Sequence, residues 1–423
     1  HTRRHAPSQA PDSGAGAGVQ ADLRAFDAFG VIGCTAIAAL TAQSSVAVER
    51  VEAVSSSMLQ AQLDTLAADL PPAAIKTGLL GSVANMRCVA AQVRRLRRSR
   101  DVALVIDPVR RATTGAAFGG DELRAALLAE LLPLADVVTP NRDEAAWLLG
   151  WDAASMSAPA QVERAAAALR ARGAGAVVIT GGDARGQTSD ETSHSQALDF
   201  IDTPQARGWL AAPRIATPHH HGSGCVHASS LAAALALDFC AADAAVLAKR
   251  ATTDAVRQGA AFGSGGAGAG AVRPRRGFAL QRGQLPTLHD AAAAIGSSHP
   301  RFATPDAAPD AGPLGLYAIV DSADAVERVL AAGVRSVQLR IKLAAPAGLS
   351  APSARDLSAQ IARSVVAARR AGAQLFINDH WALAIEHGAS GVHLGQQDIS
   401  ETALRLLRDA GLRVGLSTHS FWE

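Results

Sequence analysis

Little in this chain of 423 residues carries charge of one sign in excess. Forty Lys and Arg nearly cancel 38 Asp and Glu, leaving +2, so no overall field exists to hold a nucleic acid or an anionic membrane. Aromatic residues make up only 4%, which argues against base-stacking surfaces. The four cysteines, Cys34, Cys88, Cys225 and Cys240, include no Cys-x-x-Cys pair, so neither a disulfide framework nor a thiolate zinc site is indicated. A reducing cytoplasm is the expected home. No apolar run reaches the roughly 18 residues of a membrane helix. The first ten residues lack the apolar stretch of a secretory signal, and residue 1 is not methionine, so the true beginning is expected to be missing or to have been processed. What remains is abundant apolar residue, 48% against 18% charged, enough to fill two or three domains at about 150 residues each.

From about residue 18 to 262, Ala/Leu-rich helical stretches such as Asp121 to Leu132 and Ala160 to Arg172 alternate with β-branched runs. Those runs are Ala103 to Asp107, Asp136 to Pro140 and Ala176 to Gly181. The rhythm predicts a largely parallel α/β sheet covered on both faces, with ligands at the carboxyl ends of its strands. Residues 264–313 break it with glycines and prolines and read as a linker, with one short helix near 289 to 295. A second βα series occupies residues 314–423, with runs at Leu316 to Asp321, Ser336 to Lys342, Gln374 to Asp379, Gly391 to Gly395 and Arg413 to Thr418.

Two groups of residues carry chemistry. In the first series, His221-Gly222-Ser223-Gly224-Cys225 precedes a helical segment. Small residues turning onto a helix N-terminus present inward-facing N–H groups to a phosphoryl group. The helix dipole there is expected to lower the Cys225 thiol pKa and make it a base. Asp107 ends one strand, and Asn141 and Glu144 follow another. Such strand-end groups suit Mg2+ beside nucleotide phosphates. The run His219 to His221 reads as a solvated turn rather than a metal site. In the second series, Gln338, Arg340 and Lys342 alternate along one strand and share a face. Asn378-Asp379, Asp398 and Ser417 lie at later strand ends. The two cations suit a diphosphate, and Asp379 with Asp398 suits a bridging Mg2+.

From about Asp12 to Gly263 the chain resembles the ribokinase-like kinases, and within them the hydroxymethylpyrimidine and phosphomethylpyrimidine kinases. The resemblance rests on the Ser13 to Leu23 stretch, Thr41-Ala42-Gln43, Lys76 to Ser82, Asp107-Pro108-Val109, Asn141-x-x-Glu144 and the His221 to Cys225 turn. It implies a kinase domain over 11–263 that uses ATP and Mg2+, with Gln43, Asp22 and Gly18 around the pyrimidine and Cys225, Gly222 and Gly224 in catalysis. Two departures stand out. His1 to Ala10 lacks the β character of the family's opening strand, so a central strand is expected to be missing. Thr180 stands where the family often has lysine, ahead of Gly181 and Gly182.

The later segments resemble thiamine phosphate synthase, a (β/α)8 barrel joining a pyrimidine diphosphate to a thiazole phosphate. Gln338-Leu339-Arg340-x-Lys342, Ile377-Asn378-Asp379, Gly391 to Gln396 with Asp398, and Gly415-x-Ser417-Thr418-His419 carry the match. It covers the first five strands, so a partial barrel is expected. Taken together, the resemblances imply a fused kinase and synthase acting on small molecules, with no nucleic-acid or membrane partner and with room for a homo-oligomer. The rival readings are a pyridoxal or sugar kinase and a non-catalytic module that binds a thiamine precursor.

Overall fold

The computed structural model describes residues 4–9, 12–44, 47–110, 120–181, 196–261, 270–278, 285–292, 295, 314–342 and 353–422. The chain divides into two compact units, His1–Gly296 and Ser297–Phe421.

In the first unit the β-branched runs form strands because both of their faces are buried. Leu104 and Ile106 join the apolar cluster on one face and Val105 joins the other, and the same alternation separates Val138 from Val137 and Val177 and Ile179 from Val178. This is the period of two expected of a sheet covered on both sides. The strands are β1 (Arg4–Gln9), β2 (Ile32–Gly33), β3 (Ala36–Ile37), β4 (Ala39–Gln43), β5 (Val48–Ala53), β6 (Ala74–Thr77), β7 (Ala103–Ile106), β8 (Val137–Val138), β9 (Val177–Ile179), β10 (Gln196–Asp202), β11 (Arg207–Pro213) and β12 (Thr287–His289). The main sheet runs β12-β11-β10-β9-β8-β7-β6-β1-β2, with β3 also paired to β1, while β4 and β5 form a separate antiparallel hairpin. Pairing is parallel from β2 to β9 and antiparallel from β9 to β12.

The helices are α1 (Gly18–Ala28), α2 (Ser56–Asp69), α3 (Val83–Leu96), α4 (Asp121–Ala126), α5 (Arg142–Leu149), α6 (Pro159–Ala171), α7 (Ser223–Ala236) and α8 (Ala241–Arg257). Leu59 and Leu63 of α2 and Val89 and Val93 of α3 pack on one face of the sheet. Leu231 of α7 and Val246 and Leu247 of α8 pack on the other.

Two expectations need correction. The opening strand is present: His5, Ala6, Pro7 and Ser8 pair with Ala74 to Thr77 of β6, and Arg4 and His5 pair with Ile32 and Gly33 of β2. Its polar composition hides it because backbone ladders on both sides, not side-chain pattern, define a central strand. Likewise, part of the segment read as a linker belongs to the first unit. Thr287 to His289 form an edge strand on β11, Arg275 pairs with Asp254 on α8, and Val272 and Phe278 are buried; the short helix expected near 289 to 295 falls partly outside the described residues. The glycines at 263–266 and the prolines from 300 onward lie outside the described residues.

The second unit is five parallel strands in sequence order: β13 (Tyr317–Val320), β14 (Ser336–Leu339), β15 (Gln374–Asn378), β16 (Gly391–Leu394) and β17 (Arg413–Leu416). Between and after them come α9 (Ala323–Ala331), α10 (Ala354–Arg370), α11 (Trp381–His387) and α12 (Glu401–Asp409). Val337, Leu339, Leu375, Ile377, Val392 and Leu394 face the helices in one apolar cluster with Val326, Ile361 and Val365. Gln338 and Phe376 stand in register with Ile319 on the opposite face, where Ile319 is 60% exposed. This is the layering of a partial βα barrel.

Candidate functional site

The carboxyl ends of the first unit's strands open into a cavity of about 590 Å³. Sheet order sets the sequence of groups along it: Asp12 after β1, Asp107 after β7, Thr139 and Asn141 after β8, Thr180 after β9 and Asp199 on β10. Strands lie about 4.8 Å apart. The five steps from β1 to β10 therefore span roughly 24 Å, room for two ligands end to end.

Over the middle of this row sits the start of α7. Gly222 caps the helix at φ +82°, a conformation that favours glycine. A Cβ there would also stand 2.1 Å from the Gly16 carbonyl oxygen. A Cβ on Gly224, by contrast, would meet no protein atom within 4 Å. The Gly14–Gly18 stretch is a tight anion-like turn closed on Asp12. Asp12 accepts from the amides of Gly14 (2.8 Å), Gly16 (3.0 Å) and Ala17 (2.8 Å), and its Oδ2 lies 3.1 Å from His221 Nε2. Burial opposes the charge on Asp12, but His221 and these amides outweigh it and hold the carboxyl below its ordinary pKa. His221 is therefore buried, and His219 Nδ1 accepts from the Gly270 amide. The solvated turn that the run's polarity suggested is corrected at His221, while His219 and His220 are half-buried and His220 lines the cavity.

Beneath Cys225 lies a buried charge cluster. Lys76 Nζ is 3.2 Å from Asp22 Oδ1 and 3.3 Å from Asp107 Oδ2, and Ser229 of α7 donates to Asp22 at 2.6 Å. The Asp22 and Lys76 side chains are 0% exposed. Burial raises the carboxyl pKa of Asp22 and of Asp107 despite Lys76. Lys76 itself stays charged: burial works against it, but Asp22, Cys225 and Asp107 hold the proton on.

Cys225 lines the cavity, yet its thiol is pushed up to about 11. Burial is the largest cause, and Asp107 and Asp22 add to it against the pull of Lys76 and a Gly18 amide. The expectation of a lowered pKa is thus corrected. Burial and two neighbouring carboxylates disfavour the thiolate at this helix start.

Among the remaining expected residues, Gly18 (φ +62°), Gln43, Gly222, Gly224, Asp107, Asn141 and Glu144 all line the cavity. Asp22 does not; it supports the wall through Lys76. Asn141 and Glu144 cap α5 reciprocally, Glu144 N donating to Asn141 Oδ1 (2.8 Å) and Asn141 N to Glu144 Oε2 (2.9 Å). Both therefore serve the helix as well as facing the cavity. At the β10 end, Lys249 Nζ meets Asp199 Oδ1 at 2.8 Å, close to Thr180 and Gly181, whose amide also donates to Asp199. His227 sits there too, its pKa brought down to about 4 chiefly by burial. Gly182 lies outside the described residues.

Gln43 reaches the β1 end from the tip of the β4–β5 hairpin. The Ser13 hydroxyl holds that tip, donating to Thr41 O (2.6 Å) and accepting from Gln43 N (3.1 Å). Sequence reasoning placed His221 in the turn before Cys225 but not its contact with Asp12, and it gave no working role to Lys76 or Asp12. A lysine directly after the apolar run Ala73 to Ile75, within the short strand β6, was the available signal, since lysine is almost never fully buried unless paired.

In the second unit, Gln338 Nε2 donates to Asn378 Oδ1 at 2.6 Å, both side chains being buried. His393 Nε2 lies 2.8 Å from Ser417 Oγ. The strand ends at Leu339, so Arg340 and Lys342 follow it, exposed, instead of continuing its alternation; Arg340 N makes a last rung to Val320 O at 2.7 Å. Asp379 is exposed and adopts φ +60°. Its carboxyl is raised by burial and by the neighbouring Asp398. Two crowded carboxylates of hard oxygen suit a divalent cation that would relieve their repulsion. Among the described residues no three His, Cys, Asp or Glu side chains converge as a metal site, so any cation here or at Asp107 and Glu144 would draw further ligands from water or phosphate.

Comparison with known proteins agrees with this division. Residues 12–271 match the phosphomethylpyrimidine kinase family and residues 316–423 the thiamine monophosphate synthase family. A hydroxymethylpyrimidine/phosphomethylpyrimidine kinase of Synechococcus elongatus is 42% identical over 254 residues, 60% of this chain and 91% of that protein. A chloroplastic thiamine biosynthetic bifunctional enzyme of Arabidopsis thaliana is 30% identical over 430 residues, covering 97% of this chain and 74% of that protein. Among solved structures, pyridoxal kinase from Staphylococcus aureus in complex with pyridoxal superposes with a TM-score of 0.57 at 26% identity, covering 68% of this chain and 98% of that one. No helix among the described residues is long and apolar enough to cross a membrane. The chain belongs to the phosphomethylpyrimidine kinase family, with a thiamine-phosphate-synthase-like unit fused behind the kinase.

Proposed function

We propose that the first unit transfers the terminal phosphate of ATP to the hydroxyl of hydroxymethylpyrimidine, and then a second phosphate to the monophosphate. The observation that carries this reading is the shared cavity. It holds the Gln43 amide at one end, the glycine turn with Cys225 at the middle and the strand-end acids Asp107 and Glu144 toward the other. An amide side chain offers a donor and an acceptor side by side, matching an aminopyrimidine edge. Gly222 to Cys225 supply backbone N–H groups for the moving phosphoryl group, and the open space at Gly224 leaves room for it.

In the transfer, the substrate oxygen forms a bond to the γ-phosphorus while the bond to the bridging oxygen breaks and ADP leaves. The transition state is loose, so the hydroxyl proton departs late, after most of the new bond has formed, and passes to an oxygen of the transferred phosphoryl group and on to solvent. Cys225 meets the hydroxyl as a neutral thiol at neutral pH and orients it by hydrogen bonding, with Lys76 beneath limiting the cost of any negative charge that develops. Asp107 and Glu144 would hold Mg2+ through waters, where the ion neutralises phosphate charge. Lys249 and Thr180 stand at the nucleotide end.

For the second unit, Gln338, Arg340, Lys342, Asn378 and Ser417 would bind the diphosphate of the kinase product, with Asp379 and Asp398 around Mg2+. Fusion then joins a product to its consumer. Pyridoxal phosphorylation is the second reading, favoured by the fold shared with pyridoxal kinases.

The test is Cys225→Ala. Single-turnover phosphorylation of hydroxymethylpyrimidine should slow by about 100-fold or more, with pyrimidine affinity by calorimetry nearly unchanged. Unaltered turnover would remove Cys225 from the mechanism.

A further inference from the structure

The hairpin that carries Gln43 is held at its root by one buried amide. Asn85, in the first turn of α3, has no exposed surface. Its Nδ2 lies 3.0 Å from Ala38 O, 3.0 Å from Val54 O and 2.9 Å from Leu80 O. Ala38 immediately precedes β4 and Val54 immediately follows β5, and the two are themselves joined, Val54 N donating to Ala38 O at 2.9 Å. Leu80 belongs to the body of the unit, in the loop after β6. One side chain thus ties both legs of the hairpin to the sheet.

Three carbonyls around one nitrogen fix the amide's orientation, because the reverse would set oxygen against oxygen. Ser82 Oγ, accepting from Asn85 N at 3.1 Å, fixes its backbone. Gly81 completes the seat: a Cβ there would stand 3.0 Å from Ala53 Cβ and 3.1 Å from Ala39 Cβ, at the hairpin's two inner ends.

The arrangement is costly. Asn85 Oδ1 is buried with no hydrogen-bond partner among the described residues, inside a cluster built from Ala38, Leu80 and Met86. A buried unpaired acceptor opposes folding, and it is tolerated here because the same amide's nitrogen serves the Ala38, Val54 and Leu80 carbonyls. Local violations of packing rules gather where function requires them.

We propose that Asn85 is a positioning residue: by clamping the root of the β4–β5 hairpin it sets where Gln43 meets the aminopyrimidine, and so governs substrate affinity without touching substrate. This rests on the kinase reading given above.

The test compares Asn85→Ala and Asn85→Asp with the wild-type chain, by steady-state kinetics and by amide hydrogen exchange of residues 38–54. Asn85→Ala should raise KM for hydroxymethylpyrimidine about tenfold, leave kcat and KM for ATP within about twofold, and speed exchange at Val54 about tenfold or more. Asn85→Asp, which keeps the shape but faces the carbonyls with oxygen, should do at least as much; if it fails to fold, Asn85→Ala decides. Unchanged KM and exchange in Asn85→Ala would overturn the proposal, as would equal losses in kcat, ATP KM and thermal stability. If the wild type does not phosphorylate hydroxymethylpyrimidine, the kinase reading fails, and exchange at Val54 alone decides the clamp.

Discussion

The two units share one grammar, strands ending in polar residues beneath helices, but they treat charge in opposite ways. In the first, Asp22, Lys76 and Asp107 are enclosed and answer one another across α1, β6 and β7. In the second, Arg340, Lys342, Asp379 and Asp398 stand exposed at the strand ends. An enclosed charge is part of the fold, and its ionisation is set by neighbours far away in sequence. An exposed one is available to a ligand and contributes little to the fold.

Deleting the enclosed cation should break that contrast most severely. Lys76→Met leaves two buried carboxylates uncompensated and should cost about 3–5 kcal/mol of stability in urea unfolding. The double change Lys76→Met with Asp22→Asn, which removes cation and partner together, should recover much of the loss. Equal stability of the single variant and the wild type would mean that the cluster is not a structural element.

At the other extreme, Arg340→Ala should shift the melting temperature by no more than about 2 °C. The same change should weaken inorganic pyrophosphate binding in the presence of Mg2+ about tenfold by calorimetry. A large loss of stability with intact pyrophosphate binding would reverse the roles assigned to the two units' charges.

The same contrast explains what the sequence revealed. The runs at Val105, Val137 and Val178 were legible because burial on both faces leaves uninterrupted β-branched residues. Asn141 and Glu144 were legible because they directly follow a strand end and match a short family segment, although the sequence did not show that they also cap α5. The first strand was not, since Arg4 to Gln9 owe their conformation to ladders with β6 and β2. Nor was the state of Cys225: its thiol depends on Lys76, Asp22 and Asp107, brought together only by the fold. The pairing of Asp12 with His221 spans 209 positions, beyond any local pattern. In the second unit the strand-end residues were found where the spacing put them, but the length of β14 was overestimated because its last ladder contact is made by Arg340 N.

The most direct measurement offers the intact chain ATP and Mg2+ with hydroxymethylpyrimidine or pyridoxal, and follows products by mass. Appearance of the pyrimidine monophosphate and then the diphosphate, with kcat/KM at least about 100-fold above that for pyridoxal, is the predicted result. Preferential phosphorylation of pyridoxal, or no transfer to the pyrimidine, would contradict it.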